Sequence, residues 1–141
     1  MNQRINIVSL GVTSLEQSLT FYADGLGWKK SSASEGNIVF FKVGGLVLAL
    51  YPKNLFEEDA TVPMNSGGYS PFSMGYCAKS EKEVDEIIAK AMESGATQIK
   101  PPQKVFWGGY SGYFADPDGF LWEVAYAPTF EFDEQQNLKM P

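Results

Sequence analysis

The chain repeats itself, and that repeat limits its fold more than any other feature. In each half a strand-like stretch runs into a serine-capped helix and then into further short strands. Residues Ile5 to Val12 alternate, with Val8, Leu10 and Val12 on one face and Ile7, Ser9 and Gly11 on the other. Ser14 stands as an N-cap with Gln17 in the capping-box place, and Leu15, Leu19 and Tyr22 follow at helical spacing until Asp24-Gly25. Strands are expected at 28–32, 38–43 and 46–51, the last two joined by Gly44-Gly45. The second half opens with a strand at 72–78. Ser80 and Glu83 then cap a helix whose apolar stripe is Val84, Ile87, Ile88, Ala91 and Met92, and Gly95 ends it. Strands at 97–100, 110–115 and 120–126 complete the half, with Asp116-Pro117-Asp118-Gly119 turning between the last two.

This order predicts an α+β fold of two βαβββ modules, 1–51 and 72–128, in one domain spanning 1–128. Residues 52–71 read as a connecting loop, with three prolines, the acidic run Glu57-Glu58-Asp59, and Ser66-Gly67-Gly68. That acidic run reads as solvated and placed to cover a pocket mouth. Residues 129–141 read as a polar tail that is frayed or docks on a second subunit. Laying Ser14 on Ser80 sets Ile7 on Ser73, and laying Gly45 on Gly119 sets Ala49 on Glu123.

Composition removes whole classes of function. The 141 residues suffice for a real core, and 44% hydrophobic with 20% charged residues is globular. A formal charge of −6 repels phosphate backbones and anionic lipid, so neither nucleic acid nor membrane is expected as a partner. No apolar run approaches the roughly 20 residues needed to span a bilayer, and the expected location is cytoplasmic. Cys77 is the only cysteine, so an intrachain disulfide and a Cys-rich zinc site are excluded. The chain has no histidine, which excludes the Ser-His-Asp triad, His-ligated zinc and the two-His-one-carboxylate iron site. Chemistry here must use carboxylate, hydroxyl, amine or phenol.

Strand alternation separates a bulky face from a small one. Leu46, Leu48, Leu50, Phe72, Met74, Tyr76, Phe120, Trp122 and Val124 share the bulky face, which should meet the helices. Ser9, Gly11, Val47, Ala49, Ser73, Gly75, Cys77 and Ala125 share the other. Such small residues leave space in front of a sheet, to be closed by another element, filled by a ligand, or left as a cleft. The run Val105 to Phe114 carries five aromatics among three glycines. Trp107, Tyr110 and Tyr113 are its candidate pocket walls, with Phe106 and Phe114 assigned to the core. Glu123 falls on the small-residue face. It is a candidate ligand acceptor or general base, with Ser73 as a neighbouring ligand-binding hydroxyl. Cys77 is assigned to packing, and Asp116 and Asp118 to the turn.

The stretches Ser14 to Tyr22, Gly25-Leu-Gly-Trp28 and Ala115 to Val124 resemble the vicinal oxygen chelate superfamily, which includes glyoxalase I, bleomycin-resistance proteins and extradiol dioxygenases. The resemblance implies curved mixed sheets with helices outside, a concave pocket and frequent homodimers. The modules pair either within one chain or by exchange across a dimer. In metal-dependent members the ligands come from strand positions that fall here on Ile7, Ala49, Ser73 and Glu123. Three of these four have lost a usual ligand, so no metal and no other cofactor is expected. The expected function is a metal-free small-molecule binding protein of the bleomycin-resistance type, sequestering or sensing an aromatic or cationic organic ligand. The alternatives are a glyoxalase-like lyase, isomerase or dioxygenase acting through Glu123, with or without an atypical metal site, and an interaction module filled by its own dimer.

Overall fold

The computed structural model describes residues 6–61 and 72–139. The chain divides into two compact units, Met1–Gly67 and Gly68–Pro141. The expected start of the first strand at Ile5, the linker beyond Thr61 and the last two tail residues lie outside the described residues.

The first unit runs β1 (Ile7–Val12), α1 (Leu15–Leu19), a π-helical continuation (Thr20–Gly25), β2 (Val39–Val43), β3 (Leu46–Pro52) and α2 (Lys53–Ala60). Its sheet has the order β1-β3-β2, with β1 parallel and β2 antiparallel to β3. The expected cap is present, since Ser14 Oγ accepts from the Gln17 N–H at 3.2 Å. The π-helical turn buries Phe21 and Tyr22, and the Tyr22 ring meets Trp28 and Phe41 at 5.3 and 6.0 Å. Because Phe41 pairs with Leu48, this aromatic cluster covers the bulky face, where Leu10, Val12, Leu48 and Leu50 are buried.

Two expectations fail in this unit. The strand at 28–32 shrinks to a single bridge, Lys30 to Phe41. Serine side chains take over the local backbone there: Ser31 Oγ accepts from Ala33 N–H and Ser34 Oγ from Phe40 N–H, at 3.2 and 2.9 Å. Residues 53–60 form α2 where a loop was expected. Pro52 is extended (φ −53°, ψ 129°) and leads into a helix that spaces Lys53 and Glu57 one turn apart, 3.9 Å between charged atoms. Its Phe56 ring lies 6.0 Å from Tyr51, so the helix is anchored on β3.

The second unit runs β4 (Ser73–Cys77), α3 (Glu81–Glu93), β5 (Thr97–Lys104), β6 (Tyr110–Ala115) and β7 (Leu121–Tyr126). The sheet order is β4-β7-β6-β5, with β4 parallel to β7 and the other pairs antiparallel. Ser80 Oγ accepts from Glu83 N–H at 3.1 Å, while Glu83 Oε2 accepts from Lys79 N–H at 2.7 Å, one residue before the usual capping-box partner. At the far end Gly95 takes φ +100°, and the N–H groups of Gly95 and Ala96 bond the carbonyls of Met92 and Ala91 as in a Schellman motif. Strand β5 runs four residues past its expected end, through Pro101 and Pro102. A sheet edge with register shifts on either side of Lys100 tolerates both prolines. Asp116 is buried as the turn's anchor, its Oδ1 accepting from the N–H groups of Asp118 and Phe120 at 3.0 and 2.9 Å.

The tail is folded through residue 139 and not frayed. Lys139 N–H bonds Glu131 O at 2.8 Å, and Asp133 Oδ1 collects the N–H groups of Gln135 and Asn137. Those bonds hold the Asp133 carboxyl below the usual carboxylate range, the Asn137 side chain contributing most. Among the described residues no helix is long and apolar enough to cross a membrane.

The two sheets share one register. Ala49 lies between Ser9 and Phe40, and Glu123 lies between Gly75 and Tyr113. Ile7 and Ser73 likewise each begin the first strand of their unit. The chain is thus α+β, built of two βαβββ modules, the first with its second strand reduced to the bridge at Lys30.

Close packing of α3 on its sheet gives a clear test. A Cβ at Gly112 would stand 2.6 Å from Ile88 Cδ1 and 2.9 Å from the backbone nitrogen of Pro102. Gly112→Ala should therefore cost about 1–3 kcal/mol in urea unfolding. Gly75→Ala meets nothing within 4 Å and should stay within about 0.5 kcal/mol of the parent.

Candidate functional site

Helix α3 decides which face of the second sheet is free. Tyr76 and Tyr110 reach it, their hydroxyls donating to Glu83 and Asp85 at 3.1 and 2.9 Å, and Gly112 lies under Ile88. Strand alternation then sends Ser73, Gly75 and Cys77 of β4, Glu123 and Ala125 of β7, and Ser111 and Tyr113 of β6 to the opposite face. Glu123 is central in that face, directly between Gly75 and Tyr113.

Tyr113 stands opposite Glu123 on the neighbouring strand. Burial first, and then the hydrogen bonding and charge of the Glu123 carboxylate, hold the Tyr113 phenol above its usual range. Burial first, and then the same charge, push the Cys77 thiol up as well. Glu123, Tyr113 and Cys77 are each half-buried, and Cys77 is a free thiol. On the other side of Glu123 the surface is open, since nothing lies within 4 Å of where a Gly75 side chain would begin. The site therefore offers one carboxylate acceptor and two neutral groups beside the open space at Gly75, while Ser111 and Ala125 of the same face are buried.

Glu123, Tyr113 and Ser73 fall on this one face, Ser73 exposed at its edge opposite Leu121. Tyr110 does not. It is three residues from Tyr113, an odd step along one strand, so this candidate pocket wall points to α3 and not to the face of Glu123. The Asp85 bond, followed by burial, raises its phenol pKa. Trp107 lies outside the strands, in the loop between β5 and β6, its indole over Gly109 and 45% exposed. Phe106, expected in the core, is fully exposed in the same loop, while Phe114 is buried and stacked on Trp122 at 6.2 Å. Cys77, read as packing, is half-buried on this face, where its alternation with Ser73 and Gly75 places it.

Of the four register-equivalent positions, Ile7 and Ala49 carry no donor atom, and Ala49 is fully buried. Among the described residues no three His, Cys, Asp or Glu side chains gather where they could hold a metal ion.

Removing the charge of Glu123 should lower both neighbours' pKa values. In Glu123→Gln, Tyr113 should titrate at lower pH by ultraviolet difference absorption, and Cys77 should react faster with iodoacetamide at mildly alkaline pH. Burial is the first cause at both groups, so recovery should be partial. A phenol pKa raised by folding adds stability that is complete below the unfolded value of about 10 and is lost as pH climbs through the folded value. Glu123→Gln should thus narrow the stability gap to Tyr113→Phe only below that window.

Residues 4–124 match the profile of the Glyoxalase/Bleomycin resistance protein/Dioxygenase superfamily. The chain is 30% identical over 124 residues to the metallothiol transferase FosB of Staphylococcus saprophyticus, covering 88% of this chain and 77% of that protein. It is 31% identical over 121 residues to the metallothiol transferase FosB of Lysinibacillus sphaericus, covering 86% and 80%. A glyoxalase-related enzyme from Fulvimarina pelagi superposes with a TM-score of 0.90 at 28% identity over 98% of both chains. A superfamily member from Burkholderia phytofirmans, 18% identical with a TM-score of 0.76 over 86% of this chain and 97% of that one, shares the fold. Repeat, register and profile agree, and the chain belongs to the Glyoxalase/Bleomycin resistance protein/Dioxygenase superfamily.

Proposed function

We propose that this protein binds a small organic molecule on the Glu123 face, in the manner of a bleomycin-resistance protein that sequesters or senses its ligand, without the metal that the name of its FosB relatives implies. The observation that carries this reading is the occupancy of the four equivalent strand positions: Ile7 and Ala49 offer nothing to an ion, Ser73 offers a hydroxyl, and Glu123, opposite Tyr113, offers a single carboxylate. A divalent ion on one carboxylate would stay mostly hydrated and weakly held. The donor set does not fit that metal. Glu123 instead accepts an N–H or O–H of the ligand, Tyr113 orients it, and the vacancy at Gly75 gives the ligand room.

A second reading, an enzyme of the superfamily working through Glu123, is favoured by the name metallothiol transferase on relatives 30% and 31% identical. Two measurements separate the readings. Protein purified without chelator should carry only traces of transition metal by elemental analysis. A thermal-shift panel of small cationic, neutral and anionic aromatics should give stabilising compounds, weakened about tenfold, 1.4 kcal/mol, by Glu123→Gln. Gly75→Val, which fills the vacancy without an internal clash, should remove them. One tightly held transition metal per chain, or a panel with no stabilising compound, would overturn the proposal.

A further inference from the structure

The row of the second sheet that holds Glu123 continues to the sheet's edge. Gly75 is opposite Glu123, Glu123 is opposite Tyr113, and Tyr113 is opposite Lys100 of β5. Residues directly opposite one another in a sheet share a face. The last pair of the same two strands follows that rule: Lys104 is opposite Tyr110, and both reach α3, at Glu81 and Asp85, each at 2.9 Å. Lys100 therefore shares the face of Glu123. Four residues along a regular strand would bring Lys100 and Lys104 to one side. The register shift between Lys100 and Gln103 sends them to opposite sides, which is why plain alternation along the sequence does not find Lys100.

The two lysines fare differently. Lys104 has a carboxylate partner in Glu81. Lys100 is half-buried, yet it forms no ion pair among the described residues, in a chain with 17 acidic residues against 11 basic. Glu123 is half-buried and likewise in no ion pair among them. The hydrogen bonding that acts on Tyr113 is that of Glu123, so the phenol does not engage the Lys100 ammonium. Glu123 and Lys100 are two strands apart, roughly 10 Å at the backbone, with Tyr113 between them. A partly desolvated charge gains more from an opposite charge than one in bulk water does, and these two do not pair with each other.

We propose that the Glu123 face selects a small zwitterion, its ammonium group on Glu123, its carboxylate on Lys100 and its body across Tyr113. This rests on the reading of that face as the ligand site and adds the charge pattern of the ligand. A cation without an acid group would leave Lys100 beside it as a like charge, and an anion without an amine would meet Glu123 in the same way. A ligand of both signs satisfies both groups.

Calorimetric titration at neutral pH with para-aminomethylbenzoate, para-aminomethylbenzamide and para-methylbenzoate tests it, since the three share a ring and are a zwitterion, a cation and an anion. The zwitterion should bind about tenfold or more tighter than either of the others. Lys100→Met keeps most of the side-chain stem and should bring the zwitterion down to the affinity of the benzamide without weakening the benzamide, whose binding also reports that the variant is folded. Glu123→Gln should bring the zwitterion down to the affinity of para-methylbenzoate. Lys104→Met removes the same charge from the α3 face of the same strand and should leave the ranking intact. Equal binding of zwitterion and benzamide, a preference that survives Lys100→Met, or its loss in Lys104→Met in place of Lys100→Met would each overturn the proposal while leaving Glu123 as a ligand acceptor. Absence of binding by all three also overturns it, and the ligand-site reading falls with it only if the wider aromatic panel gives no stabilising compound either.

Discussion

The burial of α3 against β6 and β7 is the contact on which the second unit depends. Val84, Ile88 and Ala91 of the helix are fully buried, and Trp122, Val124 and Phe114 meet them from the sheet side. Fully burying one such large apolar side chain is worth about 1.5–3 kcal/mol. One face of β6 and of β7 is therefore committed to the core, and the period of two sends the alternate residues to the other face. Gly112 can be nothing larger because Ile88 lies over it. Glu123, between two buried neighbours in sequence, is forced out to the face where Tyr113 and Cys77 stand.

The two units apply the same register to different ends. Where the first has Ala49 beside Phe40, the second has Glu123 beside Tyr113. An apolar pair needs a cover, and α2 supplies part of one. A carboxylate beside a phenol needs polar company, and its face is left open at Gly75. The duplication thus fixes where the side chains point, while the residues at equivalent strand positions differ between the units.

Much of this was legible in the residues. Both serine caps, the Asp116 turn and the Gly44-Gly45 hairpin form as read, because each depends on a few neighbours in sequence. The parity of β6 separates Tyr110 from Tyr113, a distinction that aromatic composition alone does not make. Helix α2 was hidden by prolines and an acidic run, which mark loops on average. What holds it is Phe56 against Tyr51, a contact between elements that periodicity in the segment does not reveal. The strand expected at 28–32 failed for a local reason, the competition of serine hydroxyls for backbone groups.

The protonation states at the Glu123 face bear on what chemistry it can support. Tyr113 and Cys77 are both pushed toward their neutral forms, by burial first and by the Glu123 carboxylate second. A nucleophilic cysteine needs the reverse, an electropositive setting that favours thiolate. A phenol serving as a base would likewise need a cation beside it. The face therefore sets one carboxylate beside a thiol and a phenol that are both biased toward their neutral forms, by burial before charge.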